Sequence, residues 1–216
     1  ENKISKMVEF YCEYENITLV TSFRQIIDEN GDVLPPRSST KKLFEKTTIV
    51  DGTSLGRFML FNFLNVVGEP TTVLVRKSDI DGMYGSYGGR VHKCLIDMAQ
   101  WLELLRKGNA VYIAEPLSYF RQHVGQNQKN SYLMMLGAID SFHYINTSYQ
   151  YKYFIKSERE YFEVLNTWFR AHKHYINELT ILKENEKFEL NKYCEFLTCI
   201  EDARQRLFYQ YFLSIS

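Results

Sequence analysis

The alternation of apolar and polar positions divides the first half of the chain into short elements. Apolar residues recur at helical spacing over residues 2–14 and again over residues 53–64, which predicts two helices. Between them, residues 17–27 form an apolar, β-branched run that ends in the pair Asn30-Gly31. Because Asn-Gly favours positive φ, this pattern predicts a strand that runs into a turn. A second short strand is predicted over residues 72–76.

One further helix and one further strand complete this region. Leu95, Met98 and Leu102 share one helical face, and Gly108 follows as a candidate helix stop. The next run, residues 111–114, is as apolar as a buried strand. We expect Glu115-Pro116 to end it, because proline has no amide N–H to give to a sheet.

After about Gln128 the pattern changes to amphipathic helix, with no further strand-like alternation. The sequence therefore predicts two regions, residues 1–127 and residues 128–216. The helices of the second region carry aromatic residues on one face, and that face has to be buried. Two outcomes are open: the face packs on the first region, or it forms a homodimer interface.

Composition narrows the function classes. Lys+Arg and Asp+Glu each number 26, so the chain has no basic surplus for nucleic acid. The four cysteines form no CxxC pair, which favours reduced thiols in a cytosolic protein. No apolar run approaches the roughly 18 residues of a membrane span, and no signal peptide is visible. The chain does not begin with Met, and we expect it to be a piece of a longer protein.

Asp97 is the first candidate for chemistry. It stands at the start of the helix predicted around Met98 and Leu102. A carboxylate there is expected either to cap the helix by accepting a backbone N–H or to act as a general base on a hydroxyl. The two roles are compatible, because a capped carboxylate is held in place and stays ionised.

Arg121 and His123 are the second candidates. Positions i and i+2 of a strand point to the same side, so both side chains are expected to face one surface. A guanidinium fits phosphate oxygens, and an imidazole binds metal or donates to phosphate. The alternative is a solvated pair on a loop. His172 and His174 are not expected to form a metal pair, because residues two apart on a helix do not face each other.

Residues 82–89 hold four of the chain's 11 glycines. A segment this rich in glycine can move, or can let a ligand approach the backbone. The chain shows no P-loop, no GxSxG, no GxGxxG after a strand and no zinc-ligand spacing.

Three segments together resemble the second half of a family 2 glycosyltransferase with the GT-A fold. They are ENKISKMVEFYCEYENITLVTSFRQIIDENG, TTVLVRKSDI and LIDMAQWLELLRKGNAVYIAEPLSYFRQH. The resemblance covers residues 1–127, and the third segment is the most specific. It implies an α/β fold, namely a partial GT-A sheet with helices. An all-helical C-terminal extension would follow.

The resemblance also implies roles for individual residues. Asp97 matches the catalytic base that acts on the acceptor hydroxyl. Arg121 and His123 match groups near the nucleotide-sugar diphosphate and its divalent cation, Mn²⁺ or Mg²⁺, with His123 as a metal ligand. The acceptor-side loop carries three candidate substrate-binding residues: Tyr84, Tyr87 and Gly88.

This chain departs from the family pattern in several ways. It lacks the nucleotide-binding half and the Asp-x-Asp metal motif. Ile96-Asp97 stands where the family often has two acidic residues, and the QxxRW signature of processive members is absent.

We therefore expect a cytoplasmic, bacterial, metal-dependent enzyme that makes a single transfer. It would move a sugar from a nucleotide-sugar donor to a glycan or other hydroxyl acceptor, with inversion. This piece alone is expected to be inactive and to hold no cofactor. The alternative is a non-catalytic binding or scaffolding module with a degenerate transferase fold and a helical interaction tail.

Overall fold

The computed structural model describes three segments of the chain: residues 2–123, 131–184 and 190–215. The chain divides into two compact units: Glu1–Gln126 and Asn127–Ser216. In the described residues the first unit is mixed α/β and the second is helical. The boundary predicted near Gln128 lies outside the described residues.

The described residues of the first unit contain two long strands and three short ones: β1 Ile17–Ile27, β2 Thr48–Val50, β3 Ser86–Tyr87, β4 Arg90–Val91 and β5 Asn109–Arg121. Strands β1, β5 and β2 form a mixed sheet in that order, and β3 pairs with β4 in a separate hairpin. Strand β5 is parallel to β1 and antiparallel to β2. The strand predicted over residues 17–27 is confirmed with those bounds, and its first six side chains are all buried.

The prediction that Glu115-Pro116 ends the last strand is wrong, because β5 continues to Arg121. The pairing with β1 is regular from Ala110 to Ile113, opposite Leu19 to Ser22. It shifts to Pro116 opposite Phe23, shifts again to Ser118 opposite Arg24, and is then regular to Arg121. The intervening residues form a bulge, which lets the strand pass a residue that has no N–H to donate.

The short strand predicted over residues 72–76 is also wrong. Only an isolated bridge forms there, in which Val20 and Leu74 exchange two backbone hydrogen bonds of 3.0 and 2.9 Å. Single 3₁₀ turns at Pro70–Thr72 and Lys77–Asp79 flank the bridge and leave too little extended chain for a ladder.

Three helices accompany the sheet: α1 Lys3–Glu13, α2 Gly52–Asn62 and α3 Ile96–Leu105. All three were predicted. The ends of α1 and α2 differ from the predicted ends by one to two residues, and α3 ends three residues before the predicted stop at Gly108. Asp51 caps α2 by accepting the backbone N–H of Ser54 at 2.7 Å. One buried cluster joins α1 to the sheet: Met7, Ile17, Val20, Val111 and Ile113.

Gly108 has a different role from the helix stop that was predicted. It lies three residues beyond the end of α3, where a side-chain carbon would stand 2.5 Å from the carbonyl oxygen of Asn16. The start of α2 also lies close to Gly108, because a carbon added at Gly52 would lie 1.9 Å from the carbonyl oxygen of Gly108. Glycine is needed here because two backbones meet.

The glycine-rich segment closes into the β3–β4 hairpin. Gly88 and Gly89 occupy its turn with φ of 58° and 82°, values that suit glycine and match the twist of a two-residue hairpin. The backbone N–H of Gly85 donates to the side-chain oxygen of Gln100 on α3 at 3.1 Å. Tyr87 is fully buried. The hairpin is therefore attached to α3.

The second unit contains the helices α4 Ser131–Gln150, α5 Glu158–His172, α6 Tyr175–Glu184 and α7 Leu190–Ile215. Ser157 and Glu160 form a capping box at the start of α5. The buried indole of Trp168 donates to the carbonyl of Ala138 at 3.0 Å and so ties α5 to α4. Among the described residues, no helix combines the length and apolarity that crossing a bilayer requires.

Candidate active site

The structure places Asp97 in the first turn of α3. The residue at the N-cap is Leu95, so the prediction that Asp97 itself caps the helix is wrong by position. Its carboxylate still satisfies a free donor of that turn, because Oδ1 accepts the N–H of Met98 at 2.8 Å. The other oxygen, Oδ2, accepts a hydrogen bond from the side-chain amide of Asn65 at 3.0 Å.

Asn65 is fixed by the tight loop in which it lies. Its Oδ1 accepts the N–H of Gly68 at 2.9 Å, and its Nδ2 also reaches the Gly68 carbonyl at 3.2 Å. The indole of Trp101 on α3 donates to that same carbonyl at 2.8 Å. Because Oδ1 accepts from a backbone N–H, the amide is oriented and its nitrogen must face Asp97.

Arg24 of β1 lies beneath this loop and is only 4% exposed. Its guanidinium donates to the carbonyls of Ser39 and Asn65 at 3.0 and 2.9 Å, and its Nε lies 3.2 Å from a carboxylate oxygen of Glu69. A buried charge is tolerated only with such partners. Burial lowers the pKa of Arg24, and the charges of Glu69 and Asp97 oppose that shift.

The surroundings of Asp97 favour its protonated form. Burial is the main cause that raises the pKa of this carboxyl, and the negative charge of Glu69 raises it further. The hydrogen bond from Met98 and the charge of Arg24 pull in the other direction. A carboxylate whose pKa is raised holds a proton more strongly than an ordinary one, as suits a general base.

Tyr84 is the one predicted acceptor-loop residue that the structure links to Asp97. Its ring packs edge-on against Trp101 with centroids 6.3 Å apart. Burial raises the pKa of the Tyr84 hydroxyl, and the charge of Asp97 raises it too, so the hydroxyl remains a donor at neutral pH. Tyr87 instead packs in the core and presents no surface to a substrate, and Gly88 serves the hairpin turn.

Arg121 holds the turn that follows β1. Its Nη1 donates to the backbone carbonyls of Asp28 and Glu29, at 2.8 Å each. On the sheet it pairs with Ile27, three positions beyond Arg24 in β1. Three residues of strand correspond to about 10 Å, so the sheet does not bring Arg121 to Arg24.

His123 follows β5 and is exposed. No group of three or more His, Cys, Asp or Glu side chains gathers to hold a metal within the described residues. The described residues thus do not fit the metal that the family resemblance implies, and a cation at His123 would need ligands from elsewhere.

Two residues at the site were missed from the sequence. Arg24 interrupts an apolar strand between Phe23 and Gln25, and a charge in such a run is itself a signal, because it must find partners when buried. The sequence did not indicate a role for Asn65 at the site, since asparagine is common in the turns that follow helices.

Comparisons with protein-family models, curated proteins and solved structures gave no match for this chain. The resemblance to family 2 glycosyltransferases therefore rests on the quoted segments alone.

Proposed function

We propose that this chain is the acceptor-side half of a glycosyltransferase of the GT-A type, with Asp97 as the general base. One observation carries the proposal: the half-buried Asp97 carboxylate is oriented by two hydrogen bonds, from the Met98 N–H at 2.8 Å and from the Asn65 amide at 3.0 Å. Its burial also raises its pKa. A carboxylate that only caps a helix at the protein surface needs neither burial nor a side-chain partner from a distant loop. The sequence resemblance independently selects the same residue.

The reaction follows from this arrangement. Asp97 accepts the proton of an acceptor hydroxyl while that oxygen attacks the anomeric carbon of the donor sugar. The bond from that carbon to the nucleoside diphosphate breaks, and the leaving group keeps the electron pair. The products are an inverted glycoside, a nucleoside diphosphate and a protonated carboxyl group, which returns its proton to water. Tyr84 stands beside Asp97 and is suited to donate a hydrogen bond to the acceptor.

Arg24 and Glu69 act as positioning residues in this proposal. Arg24 holds the carbonyl of Asn65, and Asn65 in turn holds Asp97. The diphosphate role of Arg121 and His123 stands on the resemblance alone, because the contacts of Arg121 favour a structural role at the turn.

The proposal is tested on the full protein that carries this chain. Nucleoside diphosphate release from a panel of nucleotide-sugars is followed for the wild type, Asp97→Asn and Asp32→Asn. Loss of a general base is expected to cost at least about 100-fold in kcat, with donor binding retained. Asp32→Asn changes an exposed carboxylate in the turn after β1 and serves as the matched control. Equal rates for wild type and Asp97→Asn would contradict the assignment.

A second candidate function is self-association through the helical region. The last turns of α7 expose a set of large apolar side chains, each more than half accessible: Phe208, Tyr209, Tyr211, Phe212 and Leu213. Several large apolar side chains exposed on neighbouring helical turns are typical of an interaction surface. This observation favours the homodimer expected as one outcome from the sequence.

Sedimentation velocity over a range of concentrations tests the homodimer. The wild type is expected to show a dimer that Phe208→Ser/Phe212→Ser removes. Ile4→Ser changes an equally exposed apolar residue on α1 and should leave the dimer intact. A wild-type chain that stays monomeric at every concentration removes this candidate.

A further inference from the structure

A cleft of about 450 Å³ opens between α4 and α7 of the second unit. One face of α4 and two α7 residues one turn apart form its walls. The polar side chains that line it are His143, Asn146, Tyr149, Gln150, Asp202 and Arg206. The volume lies within the range of small-molecule sites. The cleft is built wholly from residues of the second unit, so the inference drawn from it does not rest on the role proposed for Asp97.

The polar wall of the cleft is a connected network. Arg206 and Asp202 form a two-pronged ion pair, with N–O distances of 2.7 and 2.8 Å. The remaining arm of Arg206 donates to the hydroxyl of Tyr161 at 2.7 Å and to the amide oxygen of Asn146 at 3.1 Å. Tyr161 is buried and also donates to Asn146, at 2.9 Å. A network tied at this many points is organised before any ligand arrives.

An anionic ligand does not suit this wall. The hydrogen bonds of Arg206 use four of the five N–H donors that a guanidinium carries. Its charge is also matched by Asp202. A phosphate or carboxylate would have to break the ion pair before it could be bound.

Cationic and flat aromatic ligands are equally disfavoured. The carboxylate of Asp202 is neutralised by Arg206. The ring of Tyr149 is stacked on Tyr161 with centroids 4.4 Å apart, and the ammonium of Lys152 lies 3.5 Å from its centroid. The ring of Tyr149 is therefore already engaged by another ring and by a cation, which disfavours stacking of a cationic or planar ligand on it.

The other polar groups that line the cleft can form hydrogen bonds with the hydroxyl groups of a neutral ligand. Asp202 accepts two hydrogen bonds from Arg206, and a carboxylate has about four acceptor sites. Gln150 is exposed at the cleft and offers an amide that both donates and accepts. The ring of His143 adds a further polar group, and Phe142 supplies an apolar wall.

We propose that the cleft between α4 and α7 binds a neutral polyhydroxyl ligand of about the size of a monosaccharide. Asp202 accepts from its hydroxyl groups, Gln150 pairs with a neighbouring hydroxyl, and the C–H surface of the ligand lies on the apolar wall. The Arg206–Tyr161–Asn146 network fixes Asp202 in the position that this requires.

The test is an NMR titration of the whole chain with glucose, mannose, N-acetylglucosamine and inositol. Glucose 6-phosphate and glucosamine are the matched anionic and cationic probes. At least one neutral probe is expected to give saturable shifts in α4 and α7, and both charged probes are expected to bind more weakly. Absence of saturation with all four neutral probes overturns the proposal, and so does tighter binding of a charged probe.

Two variants sharpen the result. Gln150→Ala removes one exposed amide and is expected to weaken binding about fivefold, while Asn166→Ala removes an exposed amide from α5 and should have no effect. Asp202→Asn frees the charge of Arg206, and preference is then expected to shift from glucose toward glucose 6-phosphate. Wild-type affinity in Gln150→Ala overturns the proposal even if Asp202→Asn does not fold.

Discussion

The side-chain amide of Asn65 donates to the carboxylate of Asp97 across 32 residues of sequence, at 3.0 Å. The same amide is locked by the backbone of Gly68 at 2.9 Å. The carboxylate is therefore held by this loop as well as by the N–H of Met98 in its own helix. Its affinity for a proton depends in part on a residue that is distant in sequence.

Replacement of Asn65 by alanine is expected to raise the pKa of Asp97 further. The amide donates to the ionised carboxylate, and loss of a donor to the charged form favours protonation. An NMR titration that follows the Asp97 carboxyl carbon measures the shift. Asn62→Ala, which removes an exposed amide bonded to the Phe58 carbonyl at the end of α2, should leave the pKa unchanged. An Asp97 pKa that is the same in Asn65→Ala and wild type contradicts this prediction.

The raised pKa of Asp97 also predicts how stability depends on pH. The folded chain holds this proton more tightly than the unfolded chain, so ionisation costs stability as pH rises from the ordinary carboxyl pKa of about 4 to the raised folded value. Asp97→Asn cannot ionise and escapes this loss. Urea unfolding of both chains across acid and neutral pH should show the stability of the wild type falling relative to the variant. A difference that is constant or grows in favour of the wild type would rule this out.

Arg24→Met is expected to destabilise the first unit by about 3 kcal/mol or more. Methionine fills similar space but leaves the carbonyls of Ser39 and Asn65 without their donor and the carboxylate of Glu69 without its cation. Arg204→Met is the matched control, because Arg204 pairs with Glu201 on an exposed helix face. That change should have little effect on stability, because an exposed ion pair contributes little. Similar midpoints in urea for the two variants would show that the Arg24 contacts contribute little.

Gly108→Ala is expected to cost about 2 kcal/mol, since the added carbon would stand 2.5 Å from the carbonyl oxygen of Asn16 and 2.7 Å from the side chain of Thr18. Gly82→Ala tests the contribution of conformation alone: Gly82 has φ of 70° and open space around its α-carbon. Its cost should lie near 1 kcal/mol. Thermal unfolding compares the two, and a smaller loss for Gly108→Ala than for Gly82→Ala would contradict the steric explanation.

Local patterns predicted the elements well where neighbours in sequence decide them. The apolar run Ile17–Ile27 and the helical spacing of α1 to α3 are examples. The path of β5 past Pro116 was not predictable, because its bulge depends on where the distant β1 places its pairing partners. The same reason applies to the site. Asp97 could be singled out from its position at a helix start. Arg24 and Asn65 acquire their roles only through distant contacts: Arg24 binds the carbonyl of Asn65, 41 residues away, and Asn65 binds Asp97 on α3.

The attachment of the glycine-rich hairpin to α3 has a consequence for how this protein can diversify. Gln100 anchors the hairpin one turn after Asp97, while the tip at Gly89 has open space where a side chain would stand. A change that tolerates the φ of 82° at Gly89, such as Gly89→Asn, would therefore alter the surface offered to a ligand without moving the helix that carries the carboxylate. If Asp97 is the base, new acceptor preferences can arise in a lineage at the hairpin tip while the proton-accepting group keeps its place.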